Sequence, residues 1–141
     1  MSRITVIAAL LLLGGCGDRE PAPHLNAKRT DRVTADRCTA VGWVVLEDGS
    51  CEAPDVRTEE ECRALGGESY HLALDDDPAT CFLPTPDAGL PCTDGSQCAG
   101  FCEAPAETEP GTLVEGTCSA RTQELCWTEV RDGLVHGTIC F

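Results

Sequence analysis

The chain has no run of 18 apolar residues, a single lysine and only six aromatic residues among its 141. The first absence excludes an ordinary transmembrane helix, which needs about 20 predominantly apolar residues. Residues 38–141 are also poor in core-forming side chains, since Leu, Ile, Val and Phe together number 20, and they carry a net charge of −16. So little apolar surface with so much charge of one sign is typical of a disordered chain.

Cysteine is abundant in this stretch. Ten of the eleven cysteines lie in residues 38–141, and disulfides can hold together a domain whose core is too small to do so. We therefore predict a small disulfide-rich fold, α+β or mostly β, with short helices, hairpins and many loops. The negative charge excludes nucleic acid as a partner, because binding the phosphate backbone requires a basic surface.

The N-terminus has the features of a bacterial export signal over residues 1–15. Arg3 supplies one positive charge, and residues 4–13 form an apolar stretch too short to span a bilayer. The sequence Leu13-Gly14-Gly15-Cys16 resembles a lipobox. We expect cleavage before Cys16 and acylation of its thiol and new amino group, which together anchor stably in a membrane. Gly17 rather than Asp follows, and by the known sorting rule this favours the outer membrane, with the protein facing the periplasm or the surface.

Composition divides the rest of the chain. Residues 16–33 are polar, contain two prolines and have no cysteine after Cys16, and they predict a lipidated, flexible tether. Residues 34–141 form the predicted disulfide-rich domain. Within it we distinguish an internal repeat, a cysteine cluster and a C-terminal hairpin, at residues 34–57 with 58–91, 92–102 and 126–141.

The repeat follows the pattern T-x-x-x-C-x-A-φ-G, in which φ is aliphatic, at Thr34–Gly42 and Thr58–Gly66. Each copy predicts a helix of about two turns that begins after the threonine. Thr58 and Glu61 match a capping box, whereas Arg37 stands in place of the glutamate in the first copy. The second helix should therefore have the stronger N-terminal cap.

Two disulfides follow from the repeat. After each helix we predict a strand and a turn that return the chain toward the helix, with the strands at residues 43–46 and 70–74. The cysteine of each helix should then bond to the next cysteine along the chain. This predicts Cys38–Cys51 and Cys62–Cys81.

The C-terminal hairpin predicts a third bridge, Cys126–Cys140. Opposed residues of a regular hairpin share one index sum, so these cysteines face each other if the loop has three residues, Asp132–Leu134. Arg131 then lies opposite Val135, whereas a two-residue loop would put the two sulfurs on opposite faces. The remaining four cysteines allow three arrangements, of which we favour Cys92–Cys102 with Cys98–Cys118.

Residues 83–102 resemble a known family. The stretch LPTPDAGLPCTDGSQCAGFC matches P-T-x-D-A-G-x-x-C-x-D-x-x-x-C-x-G-x-C, which occurs in an uncharacterised family of bacterial exported cysteine-rich proteins and lipoproteins. An upstream C-x-x-x-G-G is similar to Cys62–Gly67, and a downstream G-x-C and I-C are similar to Gly116–Cys118 and Ile139-Cys140. The family has no assigned activity, so the resemblance supports homology and not a function.

Few residues indicate chemistry. There is no C-x-x-C, so the zinc-ribbon and common iron–sulfur spacings are absent, and we expect no metal and no cofactor. Asp75–Asp77 are consecutive and precede Pro78, unlike the acids of an EF-hand. We interpret them as a solvated turn, with a weak calcium site as the alternative. We interpret His71 and His136 as half-buried strand residues. Catalysis by His71 beside a carboxylate is the weaker hypothesis, and no enzymatic activity is expected.

These observations predict a lipid-anchored cell-envelope protein that is structural or binds a protein partner. The alternative is a disulfide-rich inhibitor of an extracytoplasmic enzyme, presenting residues 103–112 between Cys102 and Cys118. A protruding, well-braced loop there would favour inhibition. An exposed aromatic patch would favour binding, and its candidates are Trp43, Tyr70 and Trp127.

Overall fold

The computed structural model describes residues 29–71 and 79–140. The predicted export signal, Cys16, residues 17–28, Asp75–Asp77 and Phe141 lie outside the described residues. The helices and strands are α1 (Ala35–Ala40), α2 (Glu59–Ala64), β1 (Arg29–Thr30), β2 (Val44–Val45), β3 (Cys51–Glu52), β4 (Glu68–Tyr70), β5 (Thr80–Phe82), β6 (Pro91–Cys92), β7 (Cys102–Glu103), β8 (Gly116–Cys118), β9 (Cys126–Arg131) and β10 (Leu134–Cys140), with one 3-10 turn at Gly95–Gln97.

The strands form three antiparallel sheets with the orders β1-β3-β2, β4-β5 and β10-β9-β7-β8-β6. Short strands and two six-residue helices confirm the predicted fold class, a small disulfide-rich and mostly β domain. Among the described residues, no helix has the length and apolar character needed to cross a membrane.

The two copies of the repeat share one local structure. Thr34 and Thr58 occupy the N-cap positions of α1 and α2 in extended conformation. Gly42 and Gly66 follow the helices with positive φ of 77° and 72°, the left-handed conformation that ends many helices and suits glycine. A two-stranded hairpin then follows in each copy, β2–β3 and β4–β5.

Two predicted boundaries in this region are wrong. The strand predicted at residues 70–74 is β4, at Glu68–Tyr70, because the chain turns directly from Gly66 into the strand. Residues 29–33, assigned to the tether, belong to the domain instead. Thr30 lies opposite Cys51 in the first sheet, and Arg32 donates to the carbonyl oxygens of Gln97 (2.8 Å) and Pro91 (2.6 Å).

Five disulfides join the ten cysteines of the domain in the predicted pairs. The Cα–Cα distances lie between 4.2 and 6.0 Å, all below the separation of about 7 Å beyond which two cysteines cannot be bridged. The pairs are Cys38–Cys51, Cys62–Cys81, Cys92–Cys102, Cys98–Cys118 and Cys126–Cys140.

The turn of the C-terminal hairpin differs from the predicted three-residue loop, which is wrong. Asp132 and Gly133 form a two-residue turn with φ of 50° and 76°, and Arg131 lies opposite Leu134. Two successive positive φ angles match the tight turn whose twist suits a hairpin, and Asp-Gly is among its preferred sequences.

A β-bulge restores the alignment that the disulfide needs. The register shifts by one residue between Val135 and Gly137, so that Cys140 lies opposite Cys126. Gly137 has φ 119°, a conformation that only glycine adopts without strain. The extra residue that we predict in the loop lies within β10 instead, and Cys126 faces Cys140 in either arrangement.

Half-cystines dominate the core. One cluster contains Cys92, Cys98, Cys102, Cys118 and Val130, and a second contains Cys38, Trp43, Cys51 and Ala99. Crosslinked sulfurs therefore fill much of the space that aliphatic side chains fill in larger domains.

Candidate functional site

The motif of residues 83–102 forms part of the frame of the domain. Residues 83–90 run antiparallel to residues 118–122, with backbone hydrogen bonds from Thr122 to Leu83 (2.8 Å), from Gly89 to Cys118 (2.9 Å) and from Cys118 to Leu90 (2.8 Å). The indole N–H of Trp43 donates to the Pro84 carbonyl oxygen (2.9 Å). The motif thus joins the first repeat to the large sheet.

Asp87 is the one charged residue among the largest fully buried side chains of the described chain. Its Oδ2 accepts from the Ala99 N–H (2.7 Å), while its Oδ1 is buried without a hydrogen-bond partner among the described residues. Burial raises the pKa of Asp87, against the lowering effects of the Ala99 N–H, Arg32 and Arg37. This carboxyl joins the first part of the motif, residues 83–90, to Ala99 and lies away from solvent.

The glycines of the motifs have a packing role. A Cβ on Gly67 would lie 2.8 and 2.9 Å from the sulfurs of Cys62 and Cys81, and one on Gly116 would lie 2.5 Å from the Glu103 carbonyl oxygen. Gly100 is equally confined, by Ser119 Oγ and the Arg121 carbonyl oxygen. These three glycines therefore contribute to the packing of the scaffold.

Three sulfurs come close together within the core. The Sγ atoms of Cys92, Cys98 and Cys118 lie within 4.8 Å of one another. Each belongs to a disulfide, so none offers the thiolate that a metal ion binds.

His71 and His136 are both exposed, so their interpretation as half-buried residues is wrong, although His136 does lie in a strand, β10. The side chain of His71 is 61% exposed, and its Nε2 lies 3.6 Å from Glu59 Oε1. His71 follows β4 instead of lying within it, and it lies outside the nearby cleft of about 330 Å³ beside Tyr70 and Arg121. His136 lies at the β-bulge with its side chain outward.

Glu68 organises the polar groups of that cleft. Its carboxylate accepts from the Tyr70 hydroxyl (2.6 Å) and from Arg121 Nη2 (2.6 Å), and the hydrogen bond to Glu68 raises the pKa of Tyr70. Asp75–Asp77, the other acidic group considered from sequence, lie outside the described residues.

The aromatic side chains pack against the body. Trp43 is 3% exposed, the Tyr70 ring lies 4.6 Å from that of Phe82, and the Trp127 ring lies 4.7 Å from that of Phe101. Trp43 therefore forms no exposed aromatic patch, and Tyr70 and Trp127 are half-buried. Among the described residues, the exposed large apolar side chains are aliphatic.

Leu113 and Leu134 form the most prominent apolar pair, which we name the leucine tip. Leu113 is 76% exposed and Leu134 is 37% exposed, and the two residues oppose each other in an antiparallel bridge. They begin the similar stretches Leu113-Val-Glu-Gly and Leu134-Val-His-Gly. That internal similarity is the signal from which the pairing could have been inferred, but exposure has no counterpart in the sequence pattern.

Hydrogen bonds hold the leucine tip in place from both sides. The acidic loop (residues 104–115, between β7 and β8) bonds to the hairpin through Gly111 N to Val135 O (2.7 Å), Val135 N to Thr112 O (3.0 Å) and Val114 N to Gly133 O (2.9 Å). The Asp132-Gly133 turn of the hairpin also bonds to residues 93 and 94. Gly133 N donates to Thr93 O (2.7 Å), and Asp132 N donates to Asp94 Oδ2 (3.2 Å). The pair is thus presented on a braced frame.

Negative charge surrounds the leucine tip. Glu107, Glu109, Glu115 and Asp132 are all exposed, and residues 103–120 contain no Lys or Arg. The nearby Arg131 donates to Glu129 (2.8 Å). The surface therefore combines exposed apolar side chains with an acidic surrounding.

Comparisons of the chain with protein-family models, with curated proteins and with solved structures found no match.

Proposed function

We propose that this chain is an exported, lipid-anchored cell-envelope protein that binds a protein partner through the leucine tip and has no enzymatic activity. The observation that carries the proposal is the exposed pair Leu113 and Leu134 on a frame held by hydrogen bonds from two sides. Single exposed leucines are ordinary, whereas paired ones form a patch. A rigid patch loses little conformational entropy when it binds.

The export signal and Cys16 support the location. A lipid at Cys16 would leave residues 17–28 between the membrane and β1, which begins at Arg29. The disulfides agree with an oxidising compartment outside the cytoplasm. The outer membrane is the proposed destination because Gly17 follows the cysteine.

Acylation is tested by labelling bacteria that express the full chain with an alkyne fatty acid. The wild type should be labelled and recovered with membranes, and Cys16→Ser should be neither. Equal labelling of both chains would contradict the anchor.

Partner binding is tested by photo-crosslinking in the same cells. A photoreactive residue at position 113 should yield a discrete adduct with another protein. The same residue at Val44, which is 51% exposed on the first sheet, is the matched control. Adducts of equal abundance at both positions would contradict a specific role of the leucine tip.

Inhibition of an extracytoplasmic enzyme is the second candidate. The acidic loop supports it, because its ends are closed by β7–β8 pairing between Cys102 and Cys118, each of which is also in a disulfide. Leu113 would then enter an apolar specificity pocket of a peptidase. Inhibition by the wild type that is lost in Leu113→Asp would favour this candidate, as would slow cleavage after Leu113.

A further inference from the structure

The backbone of Leu113 points away from the hairpin. The two hydrogen bonds that flank the Leu113–Leu134 bridge involve Thr112 O and Val114 N. In an antiparallel pair flanked in this way, the N–H and C=O of the central residue point to the opposite side. Among the described residues, no hydrogen bond involves Leu113 N or O. Residues 112–114 thus extend the large sheet beyond β10 and form its outer edge at the leucine tip.

Residues 112–114 carry no lysine or proline, and within the described chain no further strand pairs with their outer edge. Proteins normally block a free edge with lysine, proline or a covering element. Here the central residue is the most exposed large apolar side chain of the described chain. A free backbone donor and acceptor beside an exposed apolar side chain are the two components of recognition by strand addition.

Charge determines which strand fits. The four acids around the leucine tip face solvent, and the adjacent Arg131 is engaged by Glu129. A second copy of this chain would bring the same acids together, and like charges at an interface are strongly unfavourable. A segment with Lys or Arg at alternate positions would meet the acids, and its apolar positions would meet Leu113.

We propose that the edge at Leu113 binds an extended, basic segment of a partner protein as an added antiparallel strand. The inference rests on the proposed function and specifies the partner chemistry and the binding mode at the same site. The backbone pair of hydrogen bonds to Leu113 sets the register, and the surrounding carboxylates select positive charge.

The probe is a capped peptide of alternating Lys and Val, added to the oxidised protein. Binding should slow hydrogen exchange of the Leu113 amide and weaken as salt rises, because salt screens exposed charges. The same peptide with Glu in place of Lys should not bind. Methylation of the valine backbone nitrogens of the Lys-Val peptide should abolish binding, because the valine that lies opposite Leu113 donates to the Leu113 carbonyl oxygen.

Variants complete the test. Leu113→Ser should weaken binding by roughly tenfold, as expected for loss of a partly buried leucine contact, with unchanged exchange at Val135 showing that the fold is intact. Val44→Ser is the matched exposed control and should bind as the wild type does. Unaltered affinity for the methylated peptide, or unaltered exchange at Leu113 on binding, would overturn the proposal.

The two proposals fail separately. A position-113 adduct in cells, together with no binding of the Lys-Val peptide, would overturn strand addition by a basic segment and leave partner binding standing. Peptide binding without any adduct at position 113 would overturn the proposed function in the cell and support the edge chemistry.

Discussion

Asp87 shows how one buried group links the scaffold to pH. Its pKa is raised by burial from the ordinary value of 3.8, so the folded chain binds this proton more tightly than the unfolded chain does. The contribution of Asp87 to stability is therefore complete below its ordinary pKa, and it is lost as pH rises through the raised pKa of the folded state. Acidification into that window should stabilise this site.

The prediction is tested with Asp87→Asn, in which an amide oxygen can still accept from the Ala99 N–H. The free energy of unfolding of the wild type relative to Asp87→Asn should increase as pH falls toward 3.8. Asp94 provides the contrast, because hydrogen bonds from Ser96 lower its pKa. Relative to Asp94→Asn, the wild type should lose stability on acidification. Parallel pH profiles for all three proteins, measured by urea unfolding, would contradict the prediction.

Gly100 should tolerate no side chain. A Cβ there would clash with Ser119 Oγ and lie 2.5 Å from the Arg121 carbonyl oxygen. Ser119 Oγ also accepts from Phe101 N (3.1 Å) and donates to Arg121 O (2.7 Å), so it has little freedom to move. We expect Gly100→Ala to lower the free energy of unfolding by about 1–3 kcal/mol, the usual cost of overpacking.

The matched control for this change is Gly95→Ala. A Cβ at Gly95 would find its nearest neighbour 3.9 Å away, at Cys102 N, which is ordinary contact. Gly95→Ala should therefore remain close to the wild type in urea unfolding. Equal losses in both variants would show that backbone freedom and not crowding determines the effect.

At the level of helices, the two repeats offer an internal comparison of capping. The Thr58 hydroxyl accepts from Glu61 N (3.1 Å), and the Glu61 carboxylate accepts from Thr58 N (3.1 Å), which completes a capping box. The Arg57 N–H (2.9 Å) and the Thr58 N–H both donate to the Glu61 carboxylate, and these two bonds lower the pKa of Glu61. Thr34 makes no such side-chain bond. The weaker first cap predicted from Arg37 is thus confirmed.

Removing each threonine should reproduce this difference. Thr58→Ala should lower the free energy of unfolding by about 1 kcal/mol, the typical value of an N-cap. Thr34→Ala should have a markedly smaller effect, because its side chain makes no cap bond to lose. Denaturant unfolding of the two variants provides the measurement, and a larger loss for Thr34→Ala would contradict the interpretation.

The hairpin shows what local patterns leave open at this level. The Cys126–Cys140 pair was predicted from the alternation of side chains between the two faces of a hairpin, which required one extra residue between the cysteines. The structure supplies that residue as the bulge at Gly137 instead of a longer turn. A Cβ at Gly137 would lie 3.9 Å from Pro110 Cγ, in the acidic loop. A bulge and an extra loop residue have the same effect on register. The alternation of side chains therefore does not show which of the two is present.

For the molecule as a whole, crosslinks should decide whether the domain folds. A disulfide that closes a loop of about 15 residues contributes roughly 3 kcal/mol in the chain-entropy account, and a domain has about 5–15 kcal/mol in total. The five bridges here span sequence separations of 10 to 20 residues. Complete reduction should therefore abolish amide-exchange protection across residues 38–140. Cooperative melting retained in excess reductant would contradict this.

The individual disulfides differ in how deeply their half-cystines are buried, so we expect their removal to have unequal effects on stability. Cys62 is the buried residue of α2, whereas Cys126 and Cys140 are exposed at the far end of the hairpin. Replacing Cys126 and Cys140 by serine should leave the body folded with a frayed hairpin end. Replacing Cys62 and Cys81 by serine should bury a serine hydroxyl at position 62. This variant should therefore lose more free energy of unfolding, measured with urea, than the variant at Cys126 and Cys140.

Sequence alone determined the features that depend on near neighbours along the chain. The helix caps, the helix–hairpin repeats and three of the disulfides join residues within about one supersecondary unit, where spacing and side-chain periodicity restrict the geometry. The other four cysteines were left with three possible arrangements, of which the favoured one is found. The scarcity of core-forming residues likewise determined that cysteines would provide the core. The lipobox at Cys16 and the resemblance over residues 83–102 remain predictions, because sequence patterns alone support them.

Tertiary structure alone decided which side chains face solvent. Trp43 is buried because Pro84, 41 residues away, supplies an acceptor for its indole, and Asp87 is buried because Ala99 supplies a donor. Leu113 is exposed, and it lies opposite Leu134 because backbone hydrogen bonds hold the acidic loop against the hairpin. Such contacts join residues whose separation leaves no periodic signal, so the candidate binding surface emerged only when the chain was packed.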